Sequence, residues 1–369
     1  MGLRGYRRSR HTLCYWGETG PILHNYATDL KSSMTALVWQ VLDYCGEWRT
    51  LDEIHRSTMP RVSKNVARQL MQALVRATFC EESDRRRDPR ETQMDGWSGW
   101  NPAAGLFHTE SRFGTYGDPR ALDDKLRRKA VHHPMPPSLK PLERARIKLP
   151  ATEPDDFARV VLDRRTWRQF GSRSIRRPEL ARLLRLTSGI THWLRIPGLG
   201  EVPLTTSPSG GARHPIETYV FVRRVQDVQS GVYRYLPHRH ELAAIRRDAT
   251  TRQLKALLPN QPWGARAAFV VFFTAVFART QWRYEFPRAY RAVLLEAGHV
   301  CQTFLLTATS MQLAPFSTMA VDDARVEALL GIDGVGEAVL YAAGVGTRPR
   351  ITTRVVLPPG LPAPHVRPN

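Results

Sequence analysis

The hydrophobic positions of this chain change period along its length. Between residues 34 and 82 the spacing is helical. SMTALVWQVLDYC (33–45) carries apolar residues on one helical face. TLDEIHRS follows, with Thr50 as N-cap and Glu53 three residues on, a capping box. VSKNVARQLMQALVRATF (62–79) predicts a third helix, and the segment ending near Cys80 reads as one edge of a wing. Three short helices and a wing predict a small winged-helix-like accessory module over residues 1–94. Residues 83–150 are charged and Pro-rich, with SDRRRDPRETQ and HHPMPPSLKPLER, so 95–150 reads as a linker or wrapping arm. Inside it, WSGWNPAAGLFH gathers Trp97, Trp100, Phe107 and His108. That is too aromatic for a free tether and predicts docking on the second domain.

From 151 to 369 helical and strand periods mix, which predicts an α+β domain. DDFARVVLDRR is a helix running into a basic turn, and PELARLLRLTSGI is an amphipathic helix. ETYVFVRR is a strand; GVYRYLP and HELAAI form a hairpin. TRQLKALL is a helix and AAFVVFFTAVF a buried strand. A long apolar helix over Arg288–Leu313, a short helix at DARVEALLG and a last strand at EAVLYAAGVG complete the pattern, with no internal repeat. One stretch does not fit simple alternation. SPSGGARHPIETYVF (207–221) ends as a strand but begins with Pro, two Gly and two Ser. Either this is a turn, or the backbone is kept bare so that something flat or anionic can lie against it.

Composition narrows the classes. The chain has 369 residues, 42% hydrophobic, enough for a large core and against bulk disorder. Its 54 Lys and Arg against 34 Asp and Glu give a net charge of +20. The bases are spread along the whole chain, which argues against DNA as a partner, since DNA binders concentrate charge on one face. Cys14, Cys45, Cys80 and Cys301 form no CxxC pair and suit neither zinc nor a disulfide framework, so no metal is expected. MGLRGYRRSRHTLCYW has no apolar core of a signal peptide, which predicts a cytoplasmic protein. The apolar stretch Ala289–Leu313 contains Arg291, Glu296 and His299 and reads as a buried helix, not a membrane span. Glu296 and His299, three residues apart, share a face and predict a buried charge pair or interface hydrogen bonds.

Three spots carry candidate chemistry. Arg164-Arg165-Thr166-Trp167-Arg168 places arginines and a hydroxyl at a helix end, a set able to hold a phosphate. The second is the Pro208-Ser209-Gly210-Gly211 turn, and the third is Arg348 just beyond the last strand. RRTWRQF, PSGGARHPIE, LLEAGHVCQTFLLTA and EAVLYAAGVG, in that order, resemble the flavin-dependent nitroreductase family. More specifically they resemble its SagB-type branch, dehydrogenases that oxidise azolines to thiazoles and oxazoles in ribosomal peptides. WSGWNPAAGLFH and the IKLP segment (147–150) resemble that branch too, so the likeness covers about residues 95–348.

The resemblance implies a nitroreductase-like fold, a central and mostly antiparallel sheet around a long buried helix. It implies FMN, with the phosphate held by Arg164, Arg165, Thr166, Arg168 and Arg348. Pro208, Ser209, Gly210 and Gly211 would lie beside the flavin. A backbone N–H from the loop Pro315–Ala320, which includes Ser317, Met319 and Ala320, would meet the flavin N5. A homodimer is implied, because two subunits share each flavin site in this fold. Where the azole-forming branch carries Lys-Tyr, this chain has Arg283-Tyr284. An arginine stays charged and cannot take a proton; Arg283 would instead stabilise a developing anion or lower the pKa of Tyr284, with Tyr284 as the base. The implied function is dehydrogenation of a peptide or tethered amino-acid intermediate in natural-product biosynthesis, with biosynthetic partner enzymes. Two alternatives stand beside it: an NAD(P)H-dependent reductase of a small acceptor, and a flavin-linked protein whose N-terminal module binds DNA or a leader peptide.

Overall fold

A computed structural model describes residues 4–112, 118–134, 153–198 and 200–349, with 136, 147, 149 and 150. The Pro-rich part of the expected arm from 137 to 146, Lys148 of the IKLP segment and the tail from 350 lie outside the described residues.

The central feature is a six-stranded sheet in the order Glu241–Arg246, Gly231–Leu236, Ile216–Val222, Phe269–Val276, Glu337–Thr347, Leu313–Thr318. Every neighbouring pair is antiparallel. Phe269–Val276 (FVVFFTAV) is apolar without alternation because both of its faces are covered. Phe269, Val271 and Phe273 point into one core with Leu183 of the helix Arg177–Ser188 and Phe304 of the long helix Ala289–Ser310. Val270 and Phe272 point into the other, with Leu254 of the helix Thr251–Leu257 and Val326 of the helix Asp323–Leu330. The expected α+β architecture is therefore present, with helices on both faces of the sheet.

The long helix is shorter than its apolar pattern. It stops at Ser310, Gln312 adopts φ +56°, and Leu313 already belongs to a strand. The expected loop Pro315–Ala320 is thus mostly the edge strand Leu313–Thr318, followed by Met319 and Ala320. An edge position tolerates Pro315, which has no N–H to give. Nor is the helix buried all round: Glu296 is 5% exposed, while Leu295 and His299 face outward. Glu296 and His299 do not form the expected pair. Among the described residues this is the one helix long and apolar enough to cross a membrane, and half of that stretch is packed inside the protein.

The N-terminal stretch holds more strand than its sequence pattern suggests. Helices Ala36–Tyr44, Leu51–Thr58 and Lys64–Arg76 form as expected around Val41, Ile54, Met71 and Leu74. The Thr50 hydroxyl accepts from Glu53 N at 3.4 Å and Thr50 N donates to the Glu53 carboxylate at 2.7 Å, closing the capping box. Thr50→Ala should cost about 1 kcal/mol of unfolding free energy, measured by urea denaturation. Cys80–Glu82 is an edge strand of a three-stranded sheet. It pairs with Gly5–Arg8, which lies between it and Arg49–Thr50. Strands Thr12–Gly17, Gly20–Asn25 and Leu30–Ser33 add an antiparallel meander.

One apolar cluster joins all three stretches of chain. Tyr26 from the meander, Trp97, Trp100 and Ala104 from WSGWNPAAGLFH, and Phe277, Tyr290 and Val293 from the sheet domain pack together. Trp97 donates to the Val335 carbonyl at 3.2 Å, and His108 bridges the Tyr290 hydroxyl at 3.0 Å and the Gly334 carbonyl at 2.8 Å. Burial holds His108 down at a pKa of about 4, so it is neutral in this contact. The aromatic segment docks as its composition predicts. Phe107 is the exception, an exposed ring edge-on to Tyr290.

Candidate active site

Expected site residues fall into two groups. The first gathers at one end of the sheet. The helix Asp156–Asp163 ends at Arg164, and the chain then runs along the outer edge of Leu313–Thr318, where Trp167 N donates to the Pro315 carbonyl at 2.9 Å. Four residues later Gly171 N donates to the Thr347 carbonyl at 2.8 Å. This brings the RRTWRQF segment beside Arg348, whose guanidinium lies 5.4 Å from the centre of the Trp167 ring. Arg348 also donates to the Leu313 carbonyl and to Gln312. Arg164 is half-buried; Arg165, Thr166 and Arg168 are exposed, and Arg168 lies over Trp263. No described carboxylate pairs with any of these four arginines. A cluster of cations without counter-charge is an anion site in waiting.

Gly346, near the end of the last strand and two residues before Arg348, has another use. A β-carbon at Gly346 would stand 2.8 Å from the Phe170 ring, so the bare strand end makes room for an aromatic side chain rather than for a ligand. Within the expected N5-donor segment, Ala320 N already donates to Thr318 Oγ1 at 2.9 Å. Ser317 accepts from the Tyr341 hydroxyl at 3.3 Å, and Met319 is exposed.

The second group forms around the Gly-rich turn. After Ser209 the chain makes a short 3-10 turn over Gly210–Ala212, and Gly211, Ala212 and His214 all have positive φ (+63°, +52°, +44°). Two non-glycine residues in that region store strain, which surrounding contacts must hold in place. Contacts come from within the turn and from two helices. His214 N donates to Ser209 Oγ at 2.8 Å, Arg213 Nε donates to the Gly211 carbonyl at 2.9 Å, and His214 Nδ1 lies 4.0 Å from the Glu296 carboxyl of the long helix. Arg279, on the helix Phe277–Gln281, donates to the His214 carbonyl at 2.8 Å and to Glu217 at 2.5 Å.

That short helix leads directly into Arg283 and Tyr284. A β-carbon at Gly211 would lie 2.5 Å from Arg283 Cδ and 2.9 Å from the Tyr284 hydroxyl. Only glycine fits there, on both conformation and space. Tyr284 is half-buried, its carbonyl accepts from Trp100 Nε1 at 2.6 Å, and Arg283 lies over its ring with 5.6 Å to the centre. The docked tryptophan therefore fixes the backbone of the candidate base. Arg213 Nη2, His214 Nε2 and Gln281 Nε2 are buried without hydrogen-bond partners around this turn. Pro208 is exposed at its rim.

Glu296 is the residue that sequence reasoning underrates. Burial pushes its carboxyl up to about 7, against the pull of the Arg279 charge. An acid on a largely apolar helix is the signal, and it lies beside His214 of the turn, 4.0 Å away, rather than against His299. Among the described residues one group has metal-like composition, His24, Asp29 and Glu110. Lys31 Nζ stands 2.6 Å from Glu110 and 3.6 Å from Asp29, so the chain supplies its own cation there.

Among the described contacts, no hydrogen bond, ion pair or ring contact joins Arg164, Arg165, Thr166, Arg168 or Arg348 to Pro208–Gly211, Arg283 or Tyr284. The two groups are ordered separately.

Comparison with known proteins gives these features a family. The trifolitoxin-processing protein TfxB of Rhizobium leguminosarum bv. trifolii is 32% identical over 168 residues, 43% of this chain and 44% of that protein. The "Putative nitroreductase MJ1384" of Methanocaldococcus jannaschii is 34% identical over 186 residues, half of this chain and 89% of that protein. A nitroreductase-like structure from Anabaena variabilis superposes with a TM-score of 0.43 at 30% identity, covering 53% of this chain and 38% of the other. The description "Nitroreductase family" matches residues 161–347, which spans Arg164–Arg168, the Gly-rich turn, Arg283-Tyr284 and the long helix: the chain belongs to the nitroreductase family.

Proposed function

We propose that this chain is an FMN-dependent oxidoreductase of the SagB type that dehydrogenates a peptide or tethered amino-acid intermediate, in the manner of azoline-to-azole oxidation, during natural-product biosynthesis. The observation that carries the proposal is the strained, bare turn at Gly210–Gly211 pressed against Arg283 and Tyr284, ringed by three orphaned buried nitrogens. Buried donors without partners fit a ligand rich in acceptors, and a backbone without side chains fits a flat one. Bound FMN would supply the hydride acceptor. Arg164, Arg165, Thr166, Arg168 and Arg348 would hold its phosphate; Pro208, Ser209, Gly210 and Gly211 would lie along its ring and ribityl chain, with Ser317, Met319 and Ala320 on the far side. Tyr284 would take the substrate proton and Arg283 would face the charge that develops.

The separation of the two residue groups supports a homodimer in which each copy completes the other's site. Exposed apolar side chains agree with it: Phe157 and Leu162 on the helix before Arg164, Leu295 on the long helix, and Trp193 on the hairpin Ile190–Ile196/Gly200–Thr205. The likeness to a protein named for trifolitoxin processing supports a peptide substrate handled together with partner enzymes, although the chain spans less than half of that relative. Residues 1–94 would be the accessory module, 95–150 the arm and 151–369 the flavin domain, in the cytoplasm. DNA is the weaker partner for the module, since Lys64 at the start of its third helix is tied to Asp52 at 2.5 Å.

A second reading, an NAD(P)H-dependent reductase of a small acceptor, is favoured by the nitroreductase relative that the chain covers to 89%. The purified protein should be yellow, with about one FMN per subunit, and should consume an azoline peptide without NAD(P)H. A colourless protein that takes up no FMN on reconstitution sinks the cofactor assignment. Turnover only with NAD(P)H and a nitroaromatic favours the second reading.

A further inference from the structure

The family match begins at residue 161, yet the main chain of the candidate base is tied down by residue 100. After the helix Phe277–Gln281 the chain leaves regular structure until the long helix starts at Ala289. Tyr284 N donates to the Thr280 carbonyl at 3.0 Å, and Ala289 N donates to the Phe286 carbonyl at 3.0 Å. Between those two points, the hydrogen bond to main chain among the described contacts is the one from Trp100 Nε1 to the Tyr284 carbonyl, at 2.6 Å. A segment with so few bonds of its own takes its position from what packs on it.

Trp100 is suited to give that position. It is wholly buried, with its ring edge-on to Trp97 at 5.6 Å and to Tyr290 at 6.0 Å. A buried indole N–H needs an acceptor, and it finds one in the Tyr284 carbonyl. Trp100 N donates to the Trp97 carbonyl at 2.7 Å, and the Trp97 indole is pinned to the Val335 carbonyl at 3.2 Å, so the donor itself has little freedom. Gly99 adds a second contact. A β-carbon there would stand 3.0 Å from Glu285 Cα and 3.0 Å from its carbonyl oxygen, so arm and segment meet backbone to backbone. The same segment meets the Gly-rich turn through Arg283 and the Tyr284 hydroxyl.

We propose that Trp100 and Gly99 are positioning residues: the docked arm sets where the Tyr284 hydroxyl stands against the turn, so chain outside residues 161–347 belongs to the working site. This rests on the reading of Tyr284 as the base. A base displaced by about 1 Å can lose up to about 100-fold in rate while substrate and cofactor still bind, because only the reacting geometry has changed. Neither residue takes a proton or touches the reacting atoms.

The test measures kcat and KM on an azoline peptide, FMN affinity, and deuterium uptake over residues 282–289, in the parent and in Trp100→Phe, Trp97→Phe and Gly99→Ala. Trp100→Phe keeps an aromatic ring and loses the donor. Its kcat should fall about 10- to 100-fold with KM and FMN affinity within about twofold of the parent, and uptake over 282–289 should rise. Trp97→Phe removes the same group from the same aromatic cluster, but its lost partner is Val335, so kcat and uptake should stay parental. Gly99→Ala keeps the donor and crowds Glu285, and its kcat should also fall. In a Tyr284→Phe background Trp100→Phe should cost nothing further, since no hydroxyl remains to be misplaced. Parental kcat in Trp100→Phe overturns the proposal. So does an equal loss in Trp97→Phe, which would reduce both tryptophans to packing, or a full additional loss in the Tyr284→Phe background. If Trp100→Phe does not fold, parental kcat in Gly99→Ala overturns it instead. If the parent does not oxidise the azoline peptide, or Tyr284→Phe does so at the parental rate, the reading of the reaction fails. Uptake then still decides whether Trp100 holds the segment, and equal uptake in Trp100→Phe and the parent says that it does not.

Discussion

Tyr284→Phe should abolish substrate oxidation, by roughly 10²–10⁴-fold for a lost general base, while flavin content and fold survive. The variant removes one oxygen and leaves the ring contacts intact, with Arg283 over one face and Phe286 edge-on at 6.0 Å. The backbone is unaffected, because Trp100 grips the Tyr284 carbonyl and not its hydroxyl. Reduction of the flavin by dithionite needs no protein base and should proceed at the parental rate. Arg283→Lys probes the same position from the other side. A lysine can lose its proton where an arginine cannot, so activity on an azoline peptide that rises from nothing in this variant would show that the chain left azole chemistry through residue 283. Activity already present in the parent would show that lysine is dispensable. Full oxidation of the true substrate by Tyr284→Phe would mean the proton leaves by another route and would remove Tyr284 from the chemistry.

Most of the sheet and its covering helices are legible in the sequence because their signals are local. FVVFFTAV is apolar on both faces, TLDEIHRS carries its own cap, and WSGWNPAAGLFH is too aromatic to stay in water. Shorter strands escape for identifiable reasons. Gly5–Arg8 is GYRR, where one buried Tyr6 among arginines leaves no alternation to read. The meander does carry a usable sign, since Gly17-Glu18-Thr19-Gly20 separates two runs of strand-forming residues. So does the hairpin at 190–205, turned at Pro197-Gly198. Leu313–Thr318 merges into a helix-loop pattern because an apolar run does not say where its period changes; Gln312 in a left-handed conformation marks that point, and a glutamine there gives no warning. The pairing of the Gly-rich turn with Arg283-Tyr284 is a contact across about 70 residues. Family resemblance points to both segments as site residues, but periodicity cannot bring them together. Glu296 shows the same limit: a lone acid in an apolar helix signals a buried neighbour, and only the fold brings it beside His214.

Arg164→Ala should weaken FMN binding by about 2–3 kcal/mol, the scale of a charge-assisted contact, or about 30- to 150-fold. The structure singles out this arginine among its neighbours. Arg168 leans on Trp263, and Arg348 is partly spent on Gln312 and the Leu313 carbonyl. The Arg164 side chain makes no hydrogen bond or ion pair among the described residues, is half-buried, and follows directly on a helix that packs against the long helix. Among the described residues no carboxylate competes with an anion for that guanidinium. The comparison variant must remove charge without removing structure. Arg223 fails that requirement, since its Nη1 donates to the carbonyls of Ala265 at 2.6 Å and Ala267 at 3.1 Å and helps close the sheet end. Arg252, exposed on the helix Thr251–Leu257, meets it. Flavin titration of the apoproteins should therefore show Arg252→Ala binding as the parent does and Arg164→Ala far more weakly, with the gap narrowing at high salt as the remaining electrostatic attraction is screened. Equal affinity in the two variants would take Arg164 out of the phosphate site and leave Arg165, Thr166, Arg168 and Arg348 to hold it.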